Sequence, residues 1–205
     1  MDPLEIYKDL KHKIVWLELK PESTLNLAEV AASYGVSRNP VTIALTRLDA
    51  EEWVVRHGSH YMVSPLTLER MREITEVRAV TEVQANIWAM HRMSMEGLKE
   101  LKELKEEIIQ LGEKVTNRTM VEMDVRFHNL LYRETRNSKL AQILDQLLSH
   151  YLRFWLASPS RINRTDFFAQ TLEIIRAVEE KDEVRLRAAS AEHIKISLDE
   201  IMGLR

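Results

Sequence analysis

The side chains best suited to chemistry lie in the second half of the chain. Asp124 and His128 are four residues apart, and residues at that spacing share one face of a helix, where a carboxylate and an imidazole can converge on one ion. His150 and His193 each fall in line with the apolar residues of their own segments. An imidazole on an apolar face needs a polar partner, and a histidine satisfied within the core is the commoner arrangement. The residues alone therefore leave a metal site and a structural role open.

Composition limits what such a site can hold. The 205 residues include no cysteine, so a metal would need His, Asp or Glu ligands. Imidazole and carboxylate ligands suit Zn²⁺, Ni²⁺ or Mn²⁺. Five Gly, five Pro and 45% hydrophobic residues favour a mostly helical globular protein. The sequence shows no signal peptide and no apolar run of membrane-spanning length, which predicts a soluble, cytoplasmic protein with no membrane partner.

A second set of residues suited to chemistry lies near position 40. Gly35 can end one helix, and Ser37 can cap the next through its hydroxyl. A buried stripe then follows at helical spacing, formed by Val41, Ala44, Leu45 and Leu48. The opposite face carries Asn39, Thr42, Ile43 and Thr46, Arg38 and Arg47 lie on its two flanks, and Ser37 at the helix start joins this candidate set. Short polar groups and guanidiniums suit base edges and phosphates, and an isoleucine suits a thymine methyl. An ordinary amphipathic helix would show the same spacing, so the surrounding elements must decide.

Those elements predict a winged helix-turn-helix over residues 1–66. Helices are expected at 3–16, 26–34 and 38–48, and strand-like runs at 53–56 and 61–63 flank a Gly-containing turn. Nucleic-acid binders usually carry a basic domain. This segment holds seven Lys and Arg against nine Asp and Glu, so any positive surface must be local.

The remainder, residues 67–205, is helix-periodic. Helices are predicted near 68–92, 95–115, 117–135, 138–157, 165–180 and 182–203, without strand signals. Helices of this length with short connections form an antiparallel bundle around an internal core. The predicted fold class is mainly α, with an N-terminal winged helix-turn-helix followed by an antiparallel all-α helical bundle.

One motif in the first domain is specific. It reads Val36-Ser37-Arg38-Asn39-Pro40-Val41, followed by Ala44-Leu45 and Arg47-Leu48. It resembles the GntR superfamily of bacterial transcription regulators, which implies a double-stranded DNA operator as partner. The resemblance places His57 and Gly58 at the wing tip that enters the minor groove. The chain departs from the family at Glu22, where Gly is usual, and at Thr42-Ile43, where Arg-Glu is usual. Because that arginine typically contacts DNA, the operator sequence is expected to differ from the family's common one.

The helical half carries a second motif. Glu76-Val77-Arg78 and Glu82 are followed by Asp124-x-x-Phe127-His128 and, near the end, His193-Ile194. These residues resemble the FCD-type effector-binding domain of the FadR-like branch, in which one Asp and three His commonly hold a divalent metal. Asp124, His128 and His193 match three of those ligands. Thr171 stands where the fourth is expected, or Gln170 if the register is one residue off, and His150 could substitute. Some members of this branch bind their effector without metal.

The same resemblance implies an effector pocket. Arg78 corresponds to the family's inward-facing arginine, and a guanidinium beside a metal with open positions suits a small carboxylate. His150, Arg153 and Thr171 are the other candidates for this pocket. The alternative is that Arg78 pairs with Glu82 at the surface.

Two classes of function are compatible with these residues. The first is a ligand-responsive transcription regulator that binds a palindromic operator as a homodimer. The second is an all-helical metalloenzyme in which Asp124, His128 and His193 activate water. The sequence favours the regulator, because no general-base carboxylate stands at a diagnostic spacing and an enzyme has no need of residues 4–64. In a third variant the bundle has lost its metal and serves only dimerisation.

Overall fold

The computed structural model describes residues 1–58, 60–111, 115–157 and 164–201, without the side chains of Arg164, Asp166 and 197–201. The chain divides into two compact units, residues 1–67 and 68–205. The predicted fold class is confirmed. No helix in the described ranges is both long enough and apolar enough to cross a membrane.

The first unit is a three-helix winged helix-turn-helix. Its elements are α1 (Pro3–Val15), β1 (Thr24–Leu25), α2 (Leu27–Tyr34), α3 (Arg38–Ala50), β2 (Val54–His57) and β3 (His60–Val63). The strands form an antiparallel sheet in the order β1-β3-β2. Sequence patterning predicted only the two wing strands, because a two-residue strand such as β1 is too short to show alternation.

The turn between α2 and α3 sets the direction of α3. Gly35 adopts the predicted left-handed conformation, with φ of 64°. Ser37 is the N-cap residue of α3, but its side chain makes no capping hydrogen bond, so the predicted hydroxyl cap is wrong. The third helical residue is Pro40, which has no N–H to donate to that hydroxyl. Val41, Leu45 and the other stripe residues of α3 are buried as predicted.

The second unit consists, in the described ranges, of six helices. They are α4 (Leu68–Arg92), α5 (Met95–Gln110), α6 (Asn117–Glu134), α7 (Ser138–Ala157), α8 (Arg164–Glu180) and α9 (Glu183–Ile201). The predicted end of α5 at residue 115 is wrong, since the helix ends at Gln110. Residues 112–114 lie outside the described part of the chain.

Helix α4 organises this unit, because it packs against α6, α7 and α9. Its buried face is unusually polar: Thr75, Arg78, Glu82 and Asn86 all lie inside. Buried polar groups need partners from neighbouring helices. Asn86, for example, donates a hydrogen bond of 3.0 Å to the Ser190 hydroxyl on α9. The polar stripe of α4 therefore fixes how the surrounding helices are placed.

Candidate metal centre and nucleic-acid interface

Three potential metal ligands meet inside the helical unit. Asp124 and His128 lie one turn apart on α6, and His193 lies on α9; all three are buried. One ligand atom from each lies within 4.8 Å of the other two. The Nε2 atoms of the two histidines are 3.3 Å apart, and Nε2 of His128 is 3.6 Å from Oδ2 of Asp124. Two nitrogens bound to one tetrahedral zinc ion lie about 3.4 Å apart, so this spacing fits a small divalent ion.

The Asp124 carboxylate is the least satisfied charge in this cluster. Within the described part of the chain, its Oδ1 atom has no hydrogen-bond partner. Burial raises the pKa of this carboxyl, although the charge of His128 acts in the opposite direction. A buried carboxylate oxygen without a donor is costly unless a cation compensates it. The carboxylate therefore fits a metal ligand better than a purely structural residue.

His193 has the form that metal binding requires. Burial lowers the pKa of His193 to about 3, assisted by the neighbouring His128, so its imidazole is neutral at physiological pH and can offer a lone pair. Phe127 lies edge-on to both imidazole rings, with centroid separations of 5.1 Å to His128 and 6.5 Å to His193. This fully buried ring provides an apolar wall beside the cluster.

Behind His128 lies a buried charged pair, in which Arg78 faces inward as the family resemblance implied. Arg78 pairs with Glu82, as the alternative interpretation held, but both side chains are buried, with 2% and 1% exposure. The surface position that this alternative gave to the pair was therefore wrong. Nη2 of Arg78 is 2.9 Å from Oε2 of Glu82, and the guanidinium lies 4.4 Å from the ring centroid of Tyr151. The same carboxylate also contacts His128, since Oε1 of Glu82 is 3.1 Å from Nδ1 of His128.

The environment of Glu82 keeps it ionised. Burial alone would raise the pKa of this carboxyl, but the charge of Arg78 and the contacts with His128 and Tyr132 hold it well below its usual range. The Tyr132 hydroxyl also donates a hydrogen bond to Oε1 of Glu82. Sequence analysis named Glu82 as part of the second motif and as a possible surface partner of Arg78. Its contact with His128 becomes visible only when α4 and α6 are packed together.

The other predicted pocket residues are also buried. His150, Arg153 and Thr171 all face the interior, and the Thr171 hydroxyl has no hydrogen-bond partner among the described residues. Burial and the nearby Arg70 lower the pKa of Arg153 to about 10, so it remains a cation at neutral pH.

His150 does not join the metal-ligand cluster that the described residues form. The sequence placed His150 in line with Ile143, Leu147 and Phe154, and this stripe was partly wrong, because Ile143 is 52% exposed. On the N-terminal half of α7 the buried positions are instead Leu144 and Leu148.

In the first unit, α3 presents the predicted polar face to solvent. Arg38, Asn39 and Thr46 are exposed, and so is Ser37, whose hydroxyl is not used as a cap. Ile43 is 51% exposed, so it does not pack into the core of this unit. Thr42 is half-buried, and its hydroxyl donates to the carbonyl oxygen of Arg38 at 3.0 Å.

The two arginines of α3 differ in the contacts that their side chains make. Arg47 is held within the unit, because its Nε lies 3.1 Å from Oε1 of Glu51 and its guanidinium lies 4.0 Å from the ring centroid of Tyr7. The Arg38 side chain, in contrast, is exposed, and none of the described side chains forms an ion pair with it. At the tip of the wing, His57 and Gly58 are exposed, and Gly58 has φ of 57°.

Each of the two units matches the model of a known protein family. Residues 4–60 match the family described as bacterial regulatory proteins, gntR family, and residues 73–195 match the FCD domain. The HTH-type transcriptional regulator McbR of Escherichia coli K12 is 28% identical over 145 residues, which are 70% of this chain and 66% of that protein. An uncharacterised HTH-type regulator of Streptomyces ambofaciens is 28% identical over 211 residues, covering 98% of this chain and 85% of that protein.

Solved structures agree with this match at the level of the fold. The structure of E. coli McbR/YncC superimposes with a TM-score of 0.84 and covers 98% of this chain and 97% of its own. Its sequence identity over that alignment is 23%, so the likeness concerns the fold.

The unpaired oxygen of Asp124 leads to a stability prediction. The pKa of this carboxyl is higher in the folded state than in the unfolded state. Without metal, the folded state should therefore lose stability as pH rises from the ordinary aspartate pKa through the raised one. Asp124→Asn removes the buried charge, so in excess chelator at pH 8 its free energy of unfolding should exceed that of wild type by about 1–2 kcal/mol. Urea unfolding at pH 5 and pH 8 measures both effects.

The matched control is Glu122→Gln on the same helix. Glu122 is exposed and pairs with Arg118 at 3.0 Å, and such a pair contributes about 0.5 kcal/mol or less. A less stable Asp124→Asn variant, or one with the pH dependence of wild type, would contradict the assignment of an uncompensated charge to Asp124.

Proposed function

This chain belongs to the gntR family of bacterial regulatory proteins and carries an FCD domain, and we propose that it is a transcription regulator whose DNA affinity responds to a small carboxylate. The carboxylate binds in the helical unit, together with a divalent metal held by Asp124, His128 and His193. The expectation that the chain is not an enzyme is confirmed by this membership. The cluster of potential metal ligands, Asp124, His128 and His193, is the observation that carries the ligand-responsive part of the proposal.

The net charge of the proposed metal site supports an anionic ligand. Arg78 and Glu82 neutralise each other as a buried pair. A divalent ion on Asp124 and two neutral histidines would leave one net positive charge in a dry interior, and a bound carboxylate would compensate it. Three protein ligands also leave a coordination position open, and Thr171 occupies the place where a fourth histidine was expected. A metal would supply Lewis acidity and positive charge at that position.

Two cationic groups stand within the same helical unit. Nε of Arg78 has no hydrogen-bond partner in the described ranges, so the guanidinium that holds Glu82 still has a donor to offer. Arg153 is a second buried guanidinium. Both residues stay assigned to the effector pocket, together with His150 and Thr171.

The DNA-binding part of the proposal rests on α3. Its exposed face combines a free guanidinium, short polar groups and one isoleucine, which are suited to phosphates, base edges and a thymine methyl. The backbone N–H groups at the start of α3 also favour a phosphate. We assign the wing tip, His57 and Gly58, to the adjacent minor groove.

We propose that the regulator acts as a homodimer on a palindromic operator. Two-fold partners present two recognition helices to successive major grooves. Helix α4 carries two exposed valines three residues apart, Val77 and Val80, with 47% and 76% exposure. Burial of these side chains against a second copy would remove apolar surface from water.

The difference between the two arginines of α3 tests the DNA interface. Operator sequences are first selected from random duplexes with the wild-type protein. Arg38→Ala should then weaken binding at least tenfold, because a free guanidinium at the helix start reaches a base or a phosphate. Arg47→Ala should weaken it less than threefold, because Glu51 and Tyr7 already hold that side chain. Fluorescence anisotropy at several salt concentrations measures both, with melting temperatures to verify folding. Equal affinity of wild type and Arg38→Ala would contradict the assignment of α3 as the recognition helix.

Calorimetric titration tests the metal centre. Metal-stripped wild type should bind one Zn²⁺, Ni²⁺ or Mn²⁺ per chain, and His193→Ala should abolish binding because two ligands on one helix rarely suffice. The matched control is His91→Ala, since His91 is an exposed histidine that contacts Glu183 at the surface. Thr171→His should add a ligand, tighten metal binding and reduce the response of DNA affinity to small carboxylates. Absence of metal binding by both wild type and Thr171→His would contradict the metal centre.

A further inference from the structure

The imidazole of His128 is contacted on both of its nitrogens. Nδ1 lies 3.1 Å from Oε1 of Glu82, while Nε2 faces Asp124 at 3.6 Å and His193 at 3.3 Å. A neutral imidazole carries its proton on only one nitrogen, and the hydrogen bond at the other side decides which one. The position of that proton therefore determines whether His128 can bind a metal through Nε2.

The carboxylate of Glu82 is placed to accept a hydrogen bond from an N–H of His128. Its carboxylate is buried, pairs with the Arg78 guanidinium and receives the Tyr132 hydroxyl, so it carries no proton of its own. An ionised carboxylate only accepts hydrogen bonds. The hydrogen in the 3.1 Å contact must then belong to Nδ1 of His128. The Tyr132 hydroxyl lies 3.5 Å from the same Nδ1, but its single proton is already donated to Glu82.

We propose that Glu82 is the positioning residue of the metal site, because it holds the proton of His128 on Nδ1 and leaves the Nε2 lone pair facing Asp124 and His193. This inference rests on the proposed function, since a lone pair aimed at the cluster matters when a metal binds there. Carboxylates that orient a metal-binding histidine in this way typically change metal affinity 10- to 100-fold. Arg78 acts on His128 only indirectly, because its guanidinium keeps Glu82 ionised.

The competing arrangement is a metal-free ion triad. In that case His128 carries protons on both nitrogens and lies as an imidazolium between Glu82 and Asp124. The two arrangements differ in whether Nε2 carries a hydrogen. They are therefore distinguished by a measurement on the protein without metal.

The variants must avoid leaving a buried charge unpaired. Removal of Glu82 or Arg78 alone would strand the other and threaten the fold, so the pair is replaced together. In the control, Arg78→Met with Glu82→Gln, an amide oxygen remains to accept from Nδ1. In the test variant, Arg78→Met with Glu82→Met, the acceptor is gone while side-chain length is similar. Comparison of the two isolates the acceptor from the charge.

Two readouts are combined on the full chain. Long-range ¹H–¹⁵N NMR of the histidine side chains at pH 8, without metal, should show His128 protonated on Nδ1 only, in wild type and in the Gln control. In the Met test variant that preference should be lost, and its affinity for Zn²⁺ by calorimetry should fall 10- to 100-fold below that of the control. Exposed His91 provides the reference signal for an unconstrained imidazole.

Each outcome bears on a separate claim. A His128 protonated on Nε2 or on both nitrogens would overturn the positioning role, and so would equal zinc affinity of the Met and Gln variants. If wild type bound no metal while His128 carried its proton on Nδ1 only, the orientation by Glu82 would stand and the metal centre of the proposed function would be overturned.

Discussion

The helical unit depends on a carboxylate buried between a guanidinium and an imidazole. Glu82 could not be ionised inside the bundle without Arg78, and neither charge could remain buried without the other. The pair sits on α4, while the groups that complete it come from α6 and α7: His128, Tyr132 and Tyr151. This network requires α4 to turn a polar stripe inward, and it fixes the neighbouring helices in the arrangement that brings α6 toward α9.

A second buried carboxylate lies close by in a different state. Glu82 lies beside the Arg78 guanidinium, which together with the Tyr132 hydroxyl holds its pKa low. Asp124 has no such cation beside it among the described residues, and burial raises its pKa. Two carboxylates with environments that differ in this way have different roles. In the proposed site, the first orients a metal-binding histidine and the second is a ligand of the cation. The geometry of His128 and His193 is consistent with a divalent ion as that cation.

Sequence patterning predicted the fold and most of the cluster, for physical reasons that also explain its errors. Helical periodicity and the Gly35 turn are local, so the recognition helix and the bundle were predictable, and so was the shared face of Asp124 and His128. Arg–Glu pairs four residues apart also occur on the exposed faces of helices. The spacing alone therefore does not show that Arg78 and Glu82 are buried, which only tertiary packing decides. The contacts of Arg47 with Tyr7 and Glu51 likewise join elements that are distant in sequence.

The central claim is that a divalent metal binds on Asp124, His128 and His193, and X-ray absorption spectroscopy of the zinc-loaded protein tests it most directly. The account predicts nitrogen and oxygen neighbours at about 2.0–2.2 Å, with outer-shell scattering from two imidazole rings. In His193→Ala the zinc should be lost, or should show at most one ring. A fully hydrated zinc ion, or a spectrum without imidazole scattering in the wild-type protein, would contradict the account.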